Sequence, residues 1–361
     1  MNNRKNINKT KLLTAVAALL ILAVFLTWLL LYFLNEKTIS VQNNEKLFVD
    51  DCGRTEYLPY DIERIAVTGP MAQFMCFSLC PDEMVEFASE WEEAAFPYIG
   101  EKYREIPVLG KLYVDEELNV EELINLRPQL IIDCGEQKDT IVEDMNRLSE
   151  VTGIPCVHID AYFENMPEAY ARLGELLGKE DEASKLSDYL ENIYITCGEA
   201  ADASGRKTVL YLSGADGLNV LPAGTYASEC IDYIATNVAI IDSPSSKGTG
   251  NNVNAEQILN WNPECIIFAT GSEGPAAINE EVLGQLDAVK NGRCYEVPLS
   301  PYNWVASPSA LQRHLALLWY TYVLYSDTAG FDLYEEVSGY MKLFYHFNLD
   351  KETFESWMHT N

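Results

Sequence analysis

The chain has 361 residues, 48% hydrophobic residues and a formal net charge of −30. That length holds one or two cores of ordinary size, and the composition is that of a globular protein rather than a disordered one. With 55 acids against 25 bases the surface repels phosphate backbones, which excludes nucleic acid as a partner.

Residues 1–11 carry Arg4, Lys5, Lys9 and Lys11 and no acid, and residues 12–34 carry no charge. As a helix this run of 23 residues is about 34 Å long, enough to cross the hydrocarbon of a bilayer. It is longer than the apolar core of a cleaved signal peptide, and no small-residue cleavage site follows. The first cysteine that a lipid could modify is Cys52. The expectation is a signal anchor: a cytoplasmic tail at 1–11, a transmembrane helix at 12–34 and a stalk at 35–47. The rest of the chain then lies outside a single-pass cell-membrane protein. A cleaved signal peptide is the alternative.

Residues 46–59 read as two short strands about the turn Asp51-Cys52-Gly53-Arg54. Then come a strand over 64–69, a helix from Pro70 and a loop-rich stretch. A helix over 120–126, a strand over 129–133, a helix over 138–150 and a strand over 155–160 follow. Alternating helices and apolar strands indicate parallel sheet covered on both faces. Residues 163–203 are helical in pattern, and the second helix there, about 181–202, has no Gly or Pro before Gly198. A helix of that length is a stiff strut of about 30 Å rather than a hinge.

From residue 204 the pattern starts again. The stretch "NVEELINLRPQLII" (119–132) recurs as "NAEQILNWNPECII" (254–267) with six identities in fourteen positions. These are Asn119/Asn254, Glu121/Glu256, Asn125/Asn260, Pro128/Pro263, Ile131/Ile266 and Ile132/Ile267. The strands "RIAVTG" and "PCVHID" also recur, as "KTVLYLSG" and "GRCYEVP", and the three offsets are about 143, 135 and 139 residues. A period this long is a duplicated lobe, not a solenoid unit. The fold class expected is α/β: two Rossmann-like lobes with parallel sheets (48–162 and 204–361) joined by a single long rigid helix within 163–203. The ligand cleft lies between the lobes, at the carboxyl ends of the strands.

Seven stretches in this order resemble the helical-backbone substrate-binding proteins of ABC importers, which carry iron–siderophore complexes, haem or cobalamin. They are "VDDCGRTEYLPYDIERIAV" (49–67), "PVLGKLYVDEELNVEELINLRPQLIID" (107–133), "GIPCVHID" (153–160), "LGELLGKEDEASKL" (173–186), "NAEQILNWNPECIIF" (254–268), "AVKNGRCYEVP" (288–298) and "SPSALQRHLALLWYTYVLYSD" (307–327). The resemblance covers essentially everything after the apolar run. It departs where the family often has Gly-Gly before Asn-Val and this chain has Ala235-Thr236-Asn237-Val238. A membrane helix also stands where lipid attachment is usual. The resemblance implies an ABC permease dimer, with its cytoplasmic ATPase, as partner. One acid on each lobe, here Glu121 and Glu256, docks into that dimer. The alternative for each glutamate is a first-turn acid favouring its helix dipole.

Ligand contacts are expected in the loops after strands: Met71 and Tyr162 in the first lobe, and Tyr226, Tyr302, Asn303 and Trp304 in the second. An aromatic there can stack on a catecholate, porphyrin or corrin, or it can pack on its own lobe. The four histidines, His158, His314, His346 and His359, show no metal-ligand spacing. The nine cysteines sit mostly in apolar patterns, where a thiol is a small hydrophobe. No nucleophile–base motif or phosphate loop stands out. The expected function is therefore an extracellular receptor for a chelated iron, haem or corrinoid, with no cofactor and no enzymatic activity. A surface redox or metallocluster enzyme, or a tethered sensor, on the same architecture are the alternatives.

Overall fold

A computed structural model describes residues 22–23, 25–27, 45–112, 119–214, 217–245, 250–271, 283–305 and 312–358. The membrane placement expected of residues 12–34 is overturned. Among the described residues no helix is long and apolar enough to cross a membrane. Of that segment only Leu22, Ala23 and Phe25–Thr27 are described, and the tail 1–11 lies outside the described residues. The first strand, β1 (Glu45–Val49), already occupies the end of the expected stalk.

β1 pairs antiparallel with β2 (Thr55–Pro59), with Leu47 opposite Tyr57. Asp50 closes the turn between them, its Oδ1 accepting from Arg54 N at 2.7 Å. The first lobe then runs β3 (Ile65–Val67), α1 (Pro70–Leu79), α2 (Val120–Asn125), β4 (Leu130–Gly135), α3 (Ile141–Thr152) and β5 (Cys156–Asp160). Its three strands form a parallel sheet in the order β3-β4-β5. The apolar runs of these strands are buried on both faces, as a helix-covered parallel sheet requires.

Two helices follow, α4 (Met166–Leu177) and α5 (Glu180–Ser204). Gly178 turns the corner between them at φ 67°. A methyl on Gly174 would collide with Ala183, so the two helices approach as closely as glycine allows.

The second lobe runs β6 (Thr208–Ser213), β7 (Asn219–Val220), α6 (Glu229–Ile234), β8 (Thr236–Asn237), β9 (Asn251–Asn252), α7 (Ala255–Trp261), β10 (Cys265–Phe268), α8 (Asp287–Lys290), β11 (Cys294–Glu296), α9 (Gln312–Leu324), α10 (Leu333–Phe344) and α11 (Lys351–Met358). Here β6, β10 and β11 are neighbours and parallel, repeating β3-β4-β5, while β7 and β9 extend the sheet antiparallel. The duplication is thus one of topology. The repeated stretch has the same construction twice. Asn119 and Asn254 cap their helices by accepting from Glu122 N and Gln257 N. Arg127 and Asn262 sit at φ 50° and 36°, and Pro128 and Pro263 lead into the strands.

The lobes are joined by more than the one helix expected. Helices α10 and α11 return to the first lobe. His346 Nε2 lies 3.0 Å from Phe77 O, Trp357 Nε1 donates to Tyr98 Oη at 3.0 Å, and Tyr98 meets Phe347 edge-on at 5.2 Å. One apolar core runs through α1, α4, α5 and α9–α11, so it belongs to both lobes.

Glu86 lies inside this core. Its Oε1 accepts from Val67 N at 2.6 Å, and Oε2 has no partner. Burial pushes its carboxyl up to about 8, a shift that the Val67 amide only partly opposes. The folded value is raised above the unfolded one. Folding therefore binds a proton, and stability falls as pH rises from the ordinary carboxylate range toward about 8. Chemical denaturation of Glu86→Gln should show a flatter pH profile. The variant should exceed the parent by ~2–4 kcal/mol near pH 8 and match it near pH 5.

Candidate functional site

The carboxyl ends of β4 and β5 lie at a cavity of 280 Å³ that the second lobe reaches through Tyr226, in the turn before α6. Its walls include Met71, Asp133, Gly135, Glu136 and Ala161 from the first lobe and Tyr226 from the second. Two of the six expected ligand residues, Met71 and Tyr226, thus share one cavity. Tyr162 follows Ala161 at its edge, half-buried, with its backbone N–H donating to Asn165 Oδ1 at 2.7 Å.

Three other expected residues do something else. Tyr302 is buried against the first lobe, where its hydroxyl accepts from Glu92 N at 3.2 Å and its ring meets Phe74 at 5.6 Å. Burial pushes its phenol up. Asn303 shapes its own loop, accepting from Val305 N at 2.9 Å and donating to Thr270 Oγ1 at 3.4 Å. Trp304 is 0% exposed, and its indole N–H donates to Ser300 O at 2.7 Å. A large ring in a loop is attracted to the nearest core, and here the core between the lobes takes it.

Two side chains that the sequence reading did not single out stand behind Tyr226. Arg313, at the start of α9, has a side chain only 3% exposed, and its Nη1 donates to Glu229 Oε2 at 2.6 Å. Its guanidinium carbon lies 4.0 Å from the centre of the Tyr226 ring, a cation–π stack. Burial pushes the Glu229 carboxyl up to about 7. Arg313 opposes that shift, while Glu136 and Glu164 of the first lobe add to it. A signal for Arg313 existed: it interrupts the apolar run "ALQRHLALL", and a charge there is rarely buried unless paired.

In the cavity wall Asp133 joins two partners. It accepts from the Thr68 hydroxyl through Oδ1, and Oδ2 lies 2.7 Å from His158 Nδ1. The carboxylate stands in the middle, so the hydroxyl has no imidazole to take its proton, and the order is not that of a nucleophilic triad. His158 Nε2 is buried without a partner. Seven of the nine cysteines are buried and none is in a disulfide; Cys52 and Cys294 are partly buried. Among the described residues no three His, Cys, Asp or Glu side chains are grouped to hold a metal ion.

Residues 101–300 match the model of the periplasmic binding protein family, so the chain belongs to that family. An ABC transporter solute binding protein from Sulfurospirillum deleyianum superposes with a TM-score of 0.74 at 24% identity, over 86% of this chain and 98% of that one. A periplasmic solute binding protein from Veillonella parvula gives 0.70 at 22%, over 87% and 97%. The molybdate periplasmic binding protein of Haemophilus influenzae gives 0.61 at 19%, over 84% and 99%. No curated protein matches the chain.

Removing a fully buried Trp leaves a large cavity and costs about 3–5 kcal/mol. Trp304→Ala should therefore lower the thermal midpoint by several degrees, measured by circular dichroism, and any loss of ligand affinity should follow the loss of fold.

Proposed function

We propose that the protein captures an iron chelate in the cleft between its lobes and delivers it to an ABC permease dimer driven by a cytoplasmic ATPase. Haem and a corrinoid are alternative cargoes of the same cleft. The cavity between the lobes, with Met71 and Tyr226 in its walls, is the place for such a cargo. Membership of the periplasmic binding protein family supports a binding role rather than catalysis. The Asp-centred network of Thr68, Asp133 and His158 offers no activated nucleophile that would favour an enzyme.

The observation that carries the reading is the idleness of Glu121 and Glu256. Most of the other repeated positions have local work: Asn119 and Asn254 cap helices, Pro128 and Pro263 lead into strands, and the isoleucines fill the sheets. Glu121 and Glu256 are exposed, in the first turns of α2 and α7. Neither makes a side-chain hydrogen bond or ion pair among the described residues, unlike Glu122, which accepts from Asn119 Nδ2 at 2.7 Å. Two like charges on two like lobes suit a two-fold partner carrying two basic pockets. Such pairs steer docking and fix its orientation more than they add affinity.

Glu121→Ala and Glu256→Ala should each leave chelate affinity unchanged and weaken uptake, and the double variant should nearly abolish it. Losing one partner of a buried charge pair costs ~2–5 kcal/mol. Glu122→Ala and Gln257→Ala remove capping partners, so they should cost up to ~1 kcal/mol of stability and leave uptake intact. Normal radiolabelled-iron uptake by the double variant at normal protein levels would overturn the docking role.

A further inference from the structure

A second cavity lies wholly within the second lobe, and its 680 Å³ is more than twice the volume of the one between the lobes. The two share no lining residue. This one lies between β11 and helices α9, α10 and α11. Strand β11 stands at the end of its sheet, and its three consecutive residues Cys294, Tyr295 and Glu296 all line the cavity. Successive side chains of a strand point to opposite faces, so the cavity runs along the open edge of the sheet and not over one face.

Seven of the fifteen lining residues are aromatic, among them Phe268, Tyr295, Trp319, Tyr322 and Phe354. A concave, mainly apolar wall with a few polar groups is the usual form of a small-molecule site. Trp319 is one of those groups. It is only 5% exposed, yet its indole N–H has no acceptor among the described residues. A buried tryptophan normally places that N–H on a partner, as Trp304 does on Ser300 O. The Trp319 nitrogen is not one of the sealed atoms, and its ring stands in the cavity wall.

The charged lining residues are Glu296, Asp332 and Lys351, an excess of one acid. Each carboxylate spends one oxygen on a backbone N–H, Glu296 on Gly271 at 2.8 Å and Asp332 on Glu335 at 3.1 Å. The second oxygen of each makes no hydrogen bond among the described residues. In a chain of net charge −30 these acids turn away an anion, whereas the aromatic faces attract a cation.

We infer that this cavity is a second ligand site, for a small aromatic molecule that is uncharged or cationic and carries a hydrogen-bond acceptor for Trp319. The site does not depend on the cleft between the lobes, so either reading can fail without the other.

The test titrates the full-length protein with prodan, a neutral fluorescent naphthyl ketone, and with anilinonaphthalenesulfonate, an anion of similar size. Prodan should bind one to one, and the sulfonate should bind about tenfold more weakly or worse. Val323→Trp, which fills the cavity from its α9 wall, should cost about tenfold in prodan affinity at a nearly unchanged thermal midpoint. Trp319→Phe keeps a ring and removes the N–H, so it should cost about threefold to tenfold. On the parent, prodan should slow alkylation of Cys294 by N-ethylmaleimide and leave that of Cys52 unchanged, read by peptide mass spectrometry. Ferric citrate in excess should not displace prodan.

The site is overturned if prodan does not saturate, if folded Val323→Trp binds it as the parent does, or if Cys294 is not protected. Should Val323→Trp not fold, the Cys294 protection decides. Equal binding of the sulfonate overturns the charge class of the ligand, and unchanged affinity in Trp319→Phe overturns the donor. Displacement by ferric citrate would make this cavity the cargo site and overturn its independence, and the cleft reading with it.

Discussion

Helix α5 buries Ala183, Leu186, Leu190, Ile193, Tyr194, Cys197, Ala200 and Ala201 along one stripe, and both lobes close on it. Helices α1 and α4 reach it from the first lobe, and α6, α9 and α10 from the second. Each large apolar side chain removed from water there contributes about 1.5–3 kcal/mol, and none can leave without opening the joint. Tyr189 adds a directional tie, its hydroxyl donating to Glu336 O at 2.5 Å. The cleft, the lobe-top glutamates and the Arg313–Glu229 pair all take their positions from this joint. A hinge at one helix would let them drift; a shared core resists that.

Local pattern made much of the fold legible. Asn before an acidic first turn, a Pro before an apolar run and the alternation of helix with strand each have a short-range cause, so α2, α7, β4 and β10 could be read directly from sequence. Repetition then pointed to two lobes, because the same Asn, Glu, Asn, Pro and Ile-Ile recur at the same spacing. What could not be read depends on distant partners. Trp304 was expected to meet a ligand, and only its place in the core that both lobes share shows why it is buried. The return of α10 and α11 to Phe77 and Tyr98 has no local signature. The apolar run at 12–34 suggested a membrane span that no helix among the described residues provides.

The charge of the molecule gives the cleft its character. A chain with a net charge of −30 places an arginine, nearly sealed, against Tyr226, which lines the cavity from the second lobe. Burial, with a smaller contribution from Glu136 and Glu164, raises the proton affinity of Glu229, and Arg313 opposes it. In a low-dielectric pocket one matched charge decides more than many solvated ones.

The common core predicts that the lobes keep one spacing. The most direct measurement is the distance between spin labels on Glu121→Cys and Glu256→Cys, with the partly buried Cys52 and Cys294 replaced by serine. Pulsed electron resonance should give a single narrow distribution, moving by less than about 2 Å when ferric citrate is added. A broad or two-peaked distribution, or a shift of many ångströms on adding the chelate, would mean that the lobes hinge and that the joint at α5 does not fix the site.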